Sequence, residues 1–208
     1  VSGPAGGTIT LALDDQNLAG GSTPGNDDFA TGTITFAPGS DAIASIKFGA
    51  DLSSLTSGNL TWTRVSDTQI VGRDGGVAVV TLDLTVANNV ATVKATLNDN
   101  YDAHPGVNAD DLVDLGSVQV VATDTDGDQA FGTVQVTVSD DVPVVTVGGV
   151  STVVEGASAI GGTWTLAPGA DGVAPSQFTI SVDGGAAQAV QFGAGIDTGK
   201  GILTLQSG

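Results

Sequence analysis

Apolar residues in this chain recur at every second position, and the runs are punctuated by Gly, Asp and Asn. The pattern holds from Thr31 to Phe36, Val77 to Val86, Val90 to Leu97, Val118 to Ala122 and Gly132 to Val138. A period of two places successive side chains on opposite faces of an extended backbone, so each run reads as a half-buried β-strand rather than a helix. Asn88-Asn89, between Val86 and Val90, reads as a tight hairpin turn because Asn tolerates positive φ, and Asp183-Gly184-Gly185 reads as another. No segment carries a helical period. Many short strands joined by such turns predict an all-β chain built as an antiparallel β-sandwich.

One internal repeat divides the chain. Phe36-Ala37-Pro38-Gly39-Ser40-Asp41 matches Leu166-Ala167-Pro168-Gly169-Ala170-Asp171, and the strands before them match as Gly32-Thr33-Ile34-Thr35 and Gly162-Thr163-Trp164-Thr165. The offset is of domain length, beyond that of a solenoid unit. It predicts a first domain over 1–142 and a second over 143–208. The second is incomplete, roughly 60 residues short of an equal copy. The chain starts in mid-pattern and is expected to be a piece of something longer. At the boundary, Val138-Ser139-Asp140-Asp141-Val142-Pro143 joins two strand-like runs with almost no linker, and Pro143 restricts the backbone there.

The acids are almost all aspartate. Of 23 Asp and Glu residues only Glu155 is a glutamate, and the net charge is −18. Short carboxylates concentrated in turns suit a hard cation such as calcium. Five scattered basic residues exclude nucleic acid as a partner and disfavour an anionic membrane surface. No apolar run reaches transmembrane length, so no membrane insertion is expected. With 40% hydrophobic and 13% charged residues the chain has a core to bury and is not of disordered composition. It contains no Cys, so neither a disulfide nor thiol chemistry is available.

Two groups of acids stand out. Asp124, Asp126 and Asp128 surround Gly127, where a strand ends and turns; three acids fall short of the six to eight oxygens calcium takes, so a neighbouring loop must add more. Asp140 and Asp141 follow one strand later and are expected at the opposite end of the sandwich, paired with Asp14, Asp15, Asp171 or Glu155. Asp41 and Asp171 recur after Pro-Gly, as cation ligands or as turn residues; Asn26-Asp27-Asp28 and Asp110-Asp111 are weaker candidates. The Asp124 loop is not an EF-hand, because Gly stands fourth rather than sixth and Gln135 occupies the twelfth position. His104, the sole histidine, cannot build a zinc site without cysteine, and no Gly-x-Ser-x-Gly elbow is present, so no enzymatic activity is expected. Trp62 and Trp164 lie in strand-like runs and are expected in cores, with sugar stacking the sharper alternative.

Taken together, Gly-Thr-(Ile/Trp)-Thr, Pro-Gly-(Ser/Ala)-Asp, Ala122-Thr123-Asp124-Thr125-Asp126-Gly127-Asp128 and Val138-Ser139-Asp140-Asp141-Val142-Pro143 resemble the tandem repeat domains of giant repeats-in-toxin bacterial adhesins, exported by type I secretion. The resemblance covers the first domain and the opening of the second. It implies tandem Ig-like or cadherin-like antiparallel β-sandwiches that bind calcium and act as extenders at the bacterial cell surface. Asp124, Asp126, Asp128, Asp140 and Asp141 match the motifs. The incomplete second domain fits a split domain interrupted by an inserted module, or a truncation. The implied partners are neighbouring domains of the same adhesin, with the chain acting as a monomer. A second reading is a calcium-dependent adhesion module that itself binds a surface glycan or peptide.

Overall fold

The computed structural model describes residues 7–25, 28–56, 59–103, 111–149, 152, 154, 156, 160–170, 172 and 178–206. The chain forms two compact units, Val1–Val142 with Gly169–Asp171, and Pro143–Pro168 with Gly172–Gly208. The sequence repeat does not foretell that a short piece of its second copy, Gly169–Asp171, is counted with the first unit.

The first unit contains strands β1 (Thr8–Asp14), β2 (Phe29–Thr35), β3 (Ile43–Phe48), β4 (Thr61–Ser66), β5 (Gln69–Asp74), β6 (Val77–Ala87), β7 (Val90–Leu97), β8 (Leu112–Asp124) and β9 (Gln129–Ser139), with a single 3-10 turn at Asp15–Asn17. They make a four-stranded sheet ordered β1-β9-β8-β3 and a five-stranded sheet ordered β2-β7-β6-β5-β4. Period-two alternation sends one face of each sheet inward. Ala91, Val93, Ala95 and Leu97 of β7 are buried, as are Val80, Leu82 and Leu84 of β6, against Val134, Val136 and Val138 of β9 and Val118, Val120 and Ala122 of β8. These residues belong to one core, so the unit is a β-sandwich. The β6–β7 hairpin turns at Asn88 and Asn89, with φ of 50° and 62°, as their tolerance of the left-handed region predicts.

One pairing departs from the antiparallel expectation. β1 runs parallel to β9, from Thr8 opposite Thr133 to Asp14 opposite Ser139. Parallel neighbours finish at the same end of a sheet, and this brings Asp14 and Asp15 to the end where Asp140 and Asp141 emerge. Close sheet contact explains a glycine within β9: a Cβ on Gly132 would lie 2.8 Å from Ile34 Cγ2 on the opposite sheet. In β8 the register shifts between Asp114 and Gly116, while Leu115 is fully buried.

The second unit holds β10 (Val144–Gly148), β11 (Thr163–Ala167), β12 (Thr179–Ile180), β13 (Gln188–Ala189), β14 (Gly195–Asp197) and β15 (Ile202–Thr204). Among the described residues they pair only as three two-stranded sheets, β10-β11, β12-β13 and β14-β15. The expected second sandwich is therefore represented by hairpins alone. Short strands limit how much apolar surface they can cover, and Val147 is 75% exposed. Trp164, Phe178 and Phe192 form an aromatic cluster with ring centroids 5.3–5.9 Å apart. Trp164 thus packs with other side chains, and Trp62 packs against the first core. The turn at Asp183-Gly184 forms as read, with φ of 51° and 73°.

The bulge in β8 yields a direct test. Gly116 has φ +93°, and a Cβ there would sit 2.0 Å from the Ser54 carbonyl oxygen. Gly116→Ala should lower the unfolding free energy by at least about 2 kcal/mol, read as a lower urea midpoint with unchanged slope.

Candidate metal centre

The β8–β9 hairpin positions the acids of the first end. β3 pairs with β8 so that Ile43 faces Asp124, which carries the preceding Asp41 to the hairpin turn. Among the described residues, Asp41, Asp124 and Asp126 form a set of three carboxylates whose ligand oxygens all lie within 4.8 Å of one another. Asp124 is buried, Asp41 half-buried and Asp126 exposed. The turn is organised around Asp124. Its Oδ1 accepts from the backbone N–H groups of Asp126 (3.3 Å), Gly127 (3.1 Å) and Asp128 (2.9 Å). Gly127 supplies the left-handed backbone, φ +100°.

Asp128 follows the expected spacing but is not one of the three. Its backbone closes the turn, its N–H donating to Asp124 and its carbonyl accepting from the Asp124 N–H (3.0 Å). The third carboxylate is Asp41, from the Pro-Gly-Ser-Asp element. A cation at this end would be held by Asp41, Asp124 and Asp126. Three carboxylates this close repel one another, and all offer the hard oxygen ligands that calcium favours. The proximity of Asp124 raises the pKa of the Asp126 carboxyl above its ordinary value, first through the hydrogen bond between them and then through charge.

At the other end, Asp15, Asp140 and Asp141 are buried. Asp14, Asp15, Asp140 and Asp141, with Asp111 beside them, do not form a further three-carboxylate set within 4.8 Å. The carboxylates of Asp14, Asp140 and Asp141 organise the backbone around them. Asp14 caps the 3-10 turn, accepting from the Gln16 N–H (3.1 Å) and from the Gln16 side-chain amide. Asp140 Oδ1 accepts from the Asp141 N–H (2.8 Å). Asp141 accepts three hydrogen bonds: from the Ser22 N–H (2.7 Å) and the Ala170 N–H (3.1 Å) at Oδ2, and from the Ser22 hydroxyl (2.5 Å) at Oδ1. Burying a carboxylate is costly unless donors replace its water, and Asp141 has them. Ser22 and Ala170 were not legible as its partners, since each is remote from it in sequence. Glu155, Asp171, His104, Asp27 and Asp110 lie outside the described residues.

Comparison with protein-family models, with curated proteins and with solved structures finds no match. No helix among the described residues is long and apolar enough to cross a membrane.

Two measurements follow from this geometry. The folded chain holds the Asp126 proton more tightly than the unfolded chain does. Asp126 taken by itself therefore favours folding at acid pH, and that contribution is lost as pH rises through its folded pKa, while Asp124, whose pKa is held below the ordinary value, contributes in the opposite sense. Carbonyl-carbon NMR without added divalent cation should place its titration midpoint above 3.8, returning toward that value in Asp124→Asn. Separately, Asp141→Ala should cost about 3 kcal/mol in urea unfolding, because three donors lose a charged acceptor.

Proposed function

We propose that this chain is a calcium-rigidified structural module of a bacterial cell-surface adhesin, of the repeats-in-toxin kind that its motifs resemble. In this reading it projects or hosts ligand-binding domains and acts outside the cell. The observation that carries the proposal is the convergence of Asp41, Asp124 and Asp126 from two separate loops at one end of the sandwich. Such a set repels itself until a cation neutralises it, so the free energy of cation binding becomes free energy of folding. Affinities of extracellular calcium modules, about 10⁻⁴–10⁻³ M, match the calcium of extracellular fluids and leave the module softer inside a cell.

The functional mechanism is mechanical. A cation fixes the β3 entry to the β8–β9 turn, tying an edge strand to the central hairpin of its sheet. Buried Asp140 and Asp141, next to Pro143, stiffen the chain where the first unit runs out. The neighbours implied are further domains of the same polypeptide, with the chain working as a monomer.

Thermal unfolding of the purified chain in millimolar calcium and in excess chelator is the test. Saturation near a hundredfold excess over Kd contributes about 2.7 kcal/mol, which raises Tm by about 5–10 °C for a chain of this size. The response should vanish in the Asp41→Asn/Asp126→Asn double variant. A melting temperature that chelation leaves unchanged removes the proposal.

A further inference from the structure

Next to the acidic turn but using none of its three clustered carboxylates, the outer face of the four-stranded sheet forms an open groove of about 390 Å³. That volume lies within the range of small-molecule sites. Its floor is a row across three strands: Lys47 of β3 pairs with Val121 of β8, which pairs with Phe131 of β9. Gln119 and Gln129 flank this row, each two residues along its strand and so on the same face. The wall comes from the other sheet. Arg64 of β4 reaches across, its Nη2 donating to the Phe48 carbonyl (3.1 Å) and to Asp67 Oδ1 (2.6 Å).

Three properties of the groove constrain its occupant. Lys47 and Arg64 are two of only five basic residues in the chain, and both line this groove. They face Asp51 and Asp67, so the site is charge-balanced in a chain of net charge −18. An uncharged ligand therefore enters without working against the field of the whole molecule. Phe131 is 41% exposed, an aromatic ring open to solvent beside the apolar Val121. Gln119 and Gln129 add side-chain amides to the lining, each able to donate and to accept.

We infer that this groove is a binding site for a neutral saccharide ring. The C–H face of a hexopyranose covers the Phe131 ring and Val121, and its hydroxyls exchange hydrogen bonds with the Gln119 and Gln129 amides and the Asp51 carboxylate. Side-chain amides and carboxylates are matched to hydroxyl groups, which donate and accept at one atom. The site uses none of Asp41, Asp124 or Asp126, so it stands or falls independently of the calcium reading.

The test is an amide-NMR titration of the whole chain with glucose, galactose, mannose and glucuronate, held in millimolar calcium and repeated in chelator. Weak binding, with Kd in the millimolar range, should perturb the amides of Lys47, Gly49, Gln119 and Phe131 for at least one neutral hexose. Phe131→Ala, on the solvent face, should weaken that binding at least about tenfold while leaving the remaining spectrum folded. Gln119→Ala should weaken it as well. Absence of shifts with all three neutral hexoses overturns the proposal. So does tighter binding of glucuronate than of any neutral hexose, or a response indifferent to Phe131→Ala. Groove shifts produced by a peptide library but by no sugar would reassign the site to a protein ligand and equally reject the saccharide.

Discussion

The β8–β9 hairpin is the constraint on which the first unit depends. Its ladder runs from Leu112 opposite Ser139 to Thr123 opposite Gln129, longer than any other pairing in the chain. β1 is added along one edge and β3 along the other. Inward residues of the hairpin supply one wall of the core, and its outward residues supply the floor of the groove. Both ends carry acids: Asp124 to Asp128 at the turn, Asp140 and Asp141 where β9 runs out. The two clusters are thus separated by the length of a strand.

The two ends solve the same electrostatic problem in different ways. At Asp141 the negative charge is met by donors of the protein itself, two backbone amides and a hydroxyl. At the turn, Asp124 is met by backbone amides, while Asp41 and Asp126 add charge beside it. The Asp141 carboxylate is supplied with donors by the protein, whereas the three carboxylates at the turn repel one another less once a cation arrives. The calcium proposal is built on the turn because that is where three carboxylates converge.

Strands with long alternating stretches were legible from the residues because burial on one face leaves a period of two; β7 alternates throughout, as do β6 from Val80 to Leu84 and β9 from Gln129 to Val136. The Asn88-Asn89 turn was legible because few residues accept its backbone angles. The parallel pairing of β1 with β9 was not, since the two strands are far apart in sequence and the direction of pairing leaves no local mark. The β8 bulge was hidden for a related reason: Leu115 breaks the alternation, and only Ser54 and Leu55 packed against Gly116 explain why. For the site, spacing picked out Asp124 and Asp126 correctly as neighbours but could not tell a side chain aimed at the cluster from Asp128, whose backbone closes the turn. Asp41 entered through the repeat alone, and the β3–β8 register gives it a physical place.

The Ala170 N–H that reaches Asp141 lies 29 residues beyond it in the chain. The first unit is therefore discontinuous in sequence, although nearly all of it precedes Pro143. A fragment cut after Val142 would keep every strand of the sandwich and still lack one donor to a buried carboxylate. Order of emergence matters for the same reason. A polypeptide extruded from its N-terminus can close the sandwich before that last donor appears, whereas one extruded from its C-terminus brings the donor out first, to wait for Asp141.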